Sequence, residues 1–250
     1  LSRQVSGFAA LLLLTLIVMT VSAHAAAPEV RVLLWFDTED YILPESDEAL
    51  LRIADFLTRN EVPATFKMVG EKARVLESRG RNDILNLLRK HDIGYHTDFH
   101  SLPPTPASFL SPLGWFEGVR EFDRRERAGF LDAERILGKR PSCYGQPGNS
   151  WAPQAFGTLR QWGVRVYLDA GEHVSLNDAP YWYCGLLTFF RLKYTTRTEL
   201  EEEADLERAK AEFRRIYQEV TPAGGGIVSI YYHPCEFAHK NFWDGVNFSK

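Results

Sequence analysis

The sequence predicts an α/β fold built on a largely parallel sheet, either open or closed into a barrel. Short apolar runs alternate with segments of helical spacing along most of the chain, which is the order of a strand–helix–strand fold. The runs are apolar on both faces, as strands covered by helices are. Asp37, His96, Asp169 and His233 each fall at the C-terminal end of such a run, where chemistry gathers in parallel α/β folds.

The elements follow in order. Val30–Phe36 (VRVLLWF) is a buried strand running into the acidic cluster Asp37, Glu39 and Asp40. Ala49–Thr58 spaces Leu50, Leu51, Ile53, Ala54, Phe56 and Leu57 as a helix does. Ala64–Val69 is a second strand, Asp83–Arg89 a helix, and Ile93–His96 a short strand ending at a histidine. Phe116–Leu137 carries a helical pattern closed by Gly138. Gln154–Trp162 is a helix closed by Gly163, and Val164–Leu168 a strand. The capping box Thr198-Glu199-Leu200-Glu201 opens a helix through Val220. The run Gly224-Gly225-Gly226 ends that unit, and Ile227–Tyr232 is a strand that delivers His233. The aromatic-rich stretch Gly171–Arg197 has no assignable pattern.

A chain of 250 residues can bury one sizeable core as a single domain. The net charge is -4 and no basic run occurs, which excludes nucleic acid as an expected partner. Arg3 followed by the apolar run Phe8–Val21 is short for a membrane span but suits a signal-peptide core, and Ala23-His24-Ala25 fits its cleavage site. Residues 1–25 are therefore read as a signal peptide and 30–250 as the catalytic domain, exported to the periplasm or secreted. A membrane is a partner only if the segment stays uncleaved. Leu1 in place of Met, and the aromatic stretch running to Lys250, suggest a chain clipped at both ends. Three cysteines, Cys143, Cys184 and Cys235, leave at least one unpaired, and no C-x-x-C pair offers a thiolate zinc site.

His96-Thr97-Asp98-Phe99-His100 is the sharpest local signal. Histidines four apart share one face of a helical turn, so both imidazoles can reach one cation. The carboxylates of Asp37-Thr38-Glu39-Asp40, at a strand end, could supply a further ligand and a base.

The stretch from Lys90 to His100 (KHDIGYHTDFH) resembles the second motif of polysaccharide deacetylases, carbohydrate esterase family 4, also known as the NodB-homology domain. Pro63-Ala64-Thr65-Phe66 resembles that family's P-A-T-F-F strand. Phe36–Asp40 is similar to its first motif in a divergent D-x-E-D branch. Gly138-Lys139-Arg140-Pro141 leading to Gln146-Pro147-Gly148 is similar to the third, and Ile230–Pro234 to the last. The five motifs run in the family's order over roughly residues 30 to 235. The resemblance implies a distorted or incomplete (β/α) barrel. It also implies a divalent metal, Zn²⁺ by preference, held by Asp40, His96 and His100. Asp37 would be the catalytic base and His233 the acid, at opposite flanks of the metal. The exchange of base and ligand within the first motif stays open, and Glu39 is the outsider. The third-motif arginine, which orients the base in the family, falls at Gly145 here.

The activity so implied is hydrolysis of an N-acyl (acetyl) group on an amino-sugar glycan of a cell wall or exopolysaccharide. Metal-bound water attacks the carbonyl, a carboxylate takes its proton and His233 protonates the amine. Asp169, Trp151 and Tyr144 are candidate substrate-lining residues. Trp182, Tyr181 and Tyr183 either stack on sugars or pack as core, His173 is structural or substrate-lining, and His239 belongs to the surface. The alternatives are opening of a cyclic amide on the same fold, and a glycan-binding relative without turnover, which the missing arginine favours. A two-histidine, one-carboxylate set also suits an iron oxygenase, but the strand–helix alternation argues against an all-β scaffold.

Overall fold

The computed structural model describes residues 29–171, 173–197 and 203–248. The apolar N-terminal segment and the capping box at Thr198–Glu201 lie outside them. Nine strands form one sheet: β1 (Glu29–Thr38), β2 (Thr65–Met68), β3 (Asp92–Tyr95), β4 (Cys143–Tyr144), β5 (Val166–Asp169), β6 (Tyr181–Tyr183), β7 (Leu186–Phe190), β8 (Thr195–Arg197) and β9 (Gly225–Tyr232). Their order is β6-β7-β5-β4-β3-β2-β1-β9-β8, and every neighbouring pair is parallel except β6 with β7. The sheet curls into a half-barrel, the incomplete barrel expected from the sequence.

Eight α-helices are described: α1 (Pro44–Arg59), α2 (Gly70–Ser78), α3 (Asn82–Leu88), α4 (Pro106–Leu110), α5 (Trp115–Leu137), α6 (Gln154–Gln161), α7 (Glu203–Val220) and α8 (Trp243–Phe248). Among the described residues no helix is long and apolar enough to cross a membrane. Gly138 ends α5 at φ 66°, the left-handed conformation that a glycine adopts without strain.

Strand alternation divides the core. On the convex face Phe36, Phe66, Met68 and Ile93 pack with α1, α2 and α3, while Tyr95, Tyr144 and Tyr167 pack with α5 and α6. The concave face carries Leu33, Trp35, Cys143, Val166, Leu168 and Tyr231. One rung of the ladder, Asp37↔Lys67↔Gly94↔Cys143, crosses four adjacent strands. All three cysteines are free thiols.

The structure differs from the sequence expectation in several places. Helix α2, which follows β2 directly, strand β4 and helices α4 and α8 were not anticipated. Gly225 and Gly226 begin β9 instead of terminating the preceding unit. The unassigned stretch after Gly171 contains β6, β7 and β8. His96–His100 is an irregular bend, with Thr97 at φ 67°, and not a turn of helix.

That bend is fastened by Glu126 of α5. Its Oε2 accepts from Tyr95 Oη at 2.8 Å and from the Asp98 backbone N–H at 2.7 Å. Burial outweighs these bonds and pushes the Glu126 carboxyl up from 4.5 to about 7. Since the folded pKa lies above the unfolded one, the native state holds this proton more tightly, and stability falls as pH rises between those two values. Glu126→Gln cannot ionise. Its melting temperature relative to the parent is expected to be higher at about pH 8 than at about pH 5. An equal offset at both pH values would show that Glu126 does not titrate in this window.

Candidate metal centre and active-site cleft

The site forms at the C-terminal ends of β1, β3, β5 and β9, where a cleft of about 600 Å³ opens. Along β1 the period of two places Leu33 and Trp35 on the concave face and Leu34 and Phe36 against the helices. Asp37 and Glu39 continue the concave series and line the cleft.

Asp40 falls on the other side. One carboxylate oxygen accepts the backbone N–H groups of Ile42 at 2.9 Å and Leu43 at 3.1 Å, and the other accepts the Ser46 hydroxyl. Its own carbonyl oxygen accepts Lys72 Nζ at 2.5 Å. These bonds bend the chain into α1 and occupy the side chain, so the geometry corrects the assignment of Asp40 as metal ligand. Glu39, set aside on sequence grounds, is the carboxylate that the structure groups with the two histidines.

Glu39, His96 and His100 bring one donor atom each to within 4.8 Å of one another, and all three are buried. His96 Nδ1 lies 2.9 Å from the Gly145 carbonyl oxygen. A carbonyl only accepts, so Nδ1 carries the hydrogen and Nε2 keeps its lone pair for a ligand bond. His100 Nδ1 lies 2.7 Å from Ser101 Oγ, which itself donates to Asp244 Oδ2 at 2.8 Å. The Ser101 oxygen therefore accepts from His100 Nδ1, and His100 Nε2 is also free. Tyr41 Oη donates to the His100 carbonyl at 2.9 Å.

The donor set fits a divalent cation. Glu39 Oε2 stands 2.6 Å from His100 Nε2, and a carboxylate with two imidazoles is a donor set that a divalent cation such as zinc accepts. Burial raises the Glu39 carboxyl, but His100, His233 and His96 outweigh it and hold the pKa at about 2. Burial, then Lys67 and His100, pushes His96 well below its ordinary value, so the ring is neutral as a metal ligand must be.

Beside this trio stand the expected base and acid. Asp37 Oδ1 contacts Lys67 Nζ at 2.8 Å. His233 follows β9, and its Nδ1 donates to Glu236 Oε2 at 2.7 Å, while Glu236 pairs with Arg197. His233 Nε2 points into the cleft, 3.3 Å from Glu39 Oε1 and 3.8 Å from Asp37 Oδ2. Burial lowers the His233 pKa, but Glu236, Glu39 and Asp37 together raise it above the ordinary value, favouring the protonated ring. Since β1 and β9 pair directly, with Phe36 opposite Tyr232, Asp37 and His233 lie side by side and not at opposite flanks.

Of the three substrate-lining candidates, only Asp169 borders the cleft. Burial raises its carboxyl to about 6 against the lowering effect of Lys67. Tyr144 alternates with Cys143 and Gly145 and is buried on the convex face, away from any substrate. Trp151 packs against the same core and stacks on His173 at 6.1 Å. Sequence reasoning missed Glu236, Asp244 and Lys67. Only Lys67 had a visible signal, a lysine inside the strand Ala64–Val69.

No family model matches the chain, and no curated protein matches it. Solved structures do. A putative polysaccharide deacetylase from Mycobacterium smegmatis is 17% identical with TM-score 0.55, covering 83% of this chain and 78% of that one. A 4-alpha-glucanotransferase from Thermococcus litoralis is 13% identical with TM-score 0.57, covering 88% of this chain and 36% of that one. A mutant CE4 family pseudoenzyme with restored enzymatic activity is 15% identical with TM-score 0.47, and the chain spans 60% of its length. The fold of this chain is therefore the one found in polysaccharide deacetylases, and it is also shared with a glucanotransferase.

Glu39→Gln is expected to weaken zinc binding by about a hundredfold or more. Asp40→Asn should keep zinc within a few-fold and instead cost about 1–3 kcal/mol of stability through its lost chain-bending bonds. Calorimetric titration and thermal melts of the two variants separate the roles, and the reverse pattern would return Asp40 to the metal.

Proposed function

We propose that the chain is a metal-dependent amide hydrolase that removes N-acyl groups, acetyl foremost, from an amino-sugar polysaccharide. The observation that carries this is the buried trio Glu39, His96 and His100 with Asp37 and His233 beside it in one cleft. A fold seen in polysaccharide deacetylases supports it, although a fold alone does not name a reaction.

A Zn²⁺ held by Glu39, His96 and His100 would lower the pKa of its water to about 7 and polarise the amide carbonyl. Asp37, held beside Lys67, would take the proton from the attacking water. His233, protonated and held by Glu236, gives a proton to the departing amine. Amide and water thus become carboxylic acid and amine, and the proton gained by Asp37 balances the one given up by His233. Around this centre Tyr231 and Phe242 offer apolar surface, and Asn149 offers a polar group, to a sugar chain lying in the cleft.

The apolar run Phe8–Val21 followed by Ala23-His24-Ala25 supports export, which would put the enzyme where such glycans lie.

Zinc-loaded protein is expected to release acetate from at least one of peptidoglycan, chitin oligomers and an N-acetylated exopolysaccharide. Asp37→Asn and His233→Gln should each cut turnover by about 10²- to 10⁴-fold while zinc stays bound. Zinc binding without acetate release from any of them would turn the reading towards a glycan-binding protein, and loss of zinc in Asp37→Asn would exchange base and ligand.

A further inference from the structure

Lys67 lies buried between Asp37 and Asp169 at the strand ends, and the proposed chemistry so far uses it only as a neighbour of Asp37. Its side chain is fully buried. Nζ reaches Asp37 Oδ1 at 2.8 Å, the Leu168 carbonyl oxygen at 2.9 Å and Asp169 Oδ2 at 3.7 Å, and stands 4.1 Å over the Trp35 ring. Burial disfavours the ammonium, but Asp37 and Asp169 outweigh it and keep Lys67 charged.

Two glycines leave room for this side chain. A Cβ on Gly94 would stand 2.7 Å from Lys67 Cγ, and one on Gly145 would stand 2.1 Å from Nζ and 2.6 Å from the Leu168 carbonyl. No real Cβ tolerates these approaches, so Lys67 threads a passage that exists only because both residues lack a side chain. Gly145 also gives its carbonyl to His96 Nδ1. One glycine thereby fixes both the metal-facing imidazole and the ammonium on the base.

We propose that Lys67 is the positioning residue that fixes Asp37 as the base, leaving Glu39 as the metal's carboxylate. A free carboxylate at the rim of a cation site would turn to the cation. The ammonium holds Asp37 on the floor of the cleft, and the Leu168 carbonyl and Asp169 hold the ammonium. Lys67 touches no reacting atom and acts through Asp37. This inference rests on the hydrolase reading for its kinetic consequence, but not for its structural one.

The test compares Lys67→Met with Lys67→Met/Asp169→Asn. The single variant leaves two buried carboxylates without a cation and risks misfolding. The double variant removes one of those charges as well, restoring the local balance without restoring the contact to Asp37. Folded double variant is expected to bind zinc at least as tightly as the parent. Its turnover should fall about a hundredfold or more at nearly constant KM. Turnover within about tenfold of the parent would make Lys67 a mere counter-charge and overturn the proposal, as would loss of zinc. Gly145→Ala, which displaces Nζ, should show the same loss of turnover, and a fully active Gly145→Ala would count against it.

Crystal structures of the zinc-loaded parent and double variant give an arm independent of activity. The Asp37 carboxylate is expected to leave its place by more than about 0.5 Å, towards the metal. An unmoved carboxylate overturns the proposal even if no glycan is cleaved. Absence of turnover in the parent alone sinks the hydrolase reading instead.

Discussion

Several carboxylates are buried at one end of a sheet, and the site depends on the cations that let them stay ionised there. An unpaired buried charge costs about 3–5 kcal/mol, so the sheet must bring its own compensation. Lys67 supplies it on the floor, because the β1–β2 register sets it directly opposite Asp37. His233, whose protonated form is favoured, supplies it at the rim beside Glu39. Lys72 does the same one layer out, joining Asp47, itself paired with Arg79, to the Asp40 backbone. Each acidic residue of the segment Asp37–Asp40 thus has its own electropositive or donor partner, which separates their roles.

Much of the fold was legible because each strand is a short apolar run and each helix has its own stripe. Helix α2 was not, since Gly70–Ser78 carries too few apolar residues to declare a period; its Ala73 and Leu76 are buried all the same. The bend at His96–His100 was misread because four-residue spacing fits a helical turn, whereas Thr97 takes a left-handed backbone that brings the two rings into a stack at 5.2 Å. What the sequence could not show was the partner of each titratable group, because Ser101 with Asp244 and Lys67 with Asp169 are joined only by folding.

The choice between Glu39 and Asp40 was within reach of elementary geometry. A strand that points Trp35 and Asp37 into the barrel must, if it runs on, point residue 39 the same way and residue 40 the opposite way. The motif resemblance points to Asp40, whereas the period of two, carried past the strand's end, points to Glu39. The same rule disposes of Tyr144, whose neighbours Cys143 and Gly145 face the cleft side. The arginine missing at Gly145 looks different in this light. That position has no space for any side chain, and an ammonium arriving from β2 already occupies the ground beside Asp37. A departure that on sequence alone weakened the case for catalysis becomes a relocation of charge from one strand to another.

The segment after β9 finishes what the strands begin. Between His233 and Asp244 lie the acid, the carboxylate that holds it, and the carboxylate that acts through Ser101 on His100. Phe242 packs edge-on against His233 at 5.1 Å, and Trp243 is buried beside Tyr41, whose hydroxyl holds the His100 carbonyl. The outer partners of His100 and of His233 therefore come from one stretch late in the chain, while the candidate ligands come from β1 and from the bend after β3. Neither half is a site by itself. The ligand half alone would bind a cation with one imidazole unoriented, and the late segment alone has no cation to serve. Trp243, buried against Tyr41 and His100, packs the late stretch onto the bend, so both halves of the site share one packed cluster.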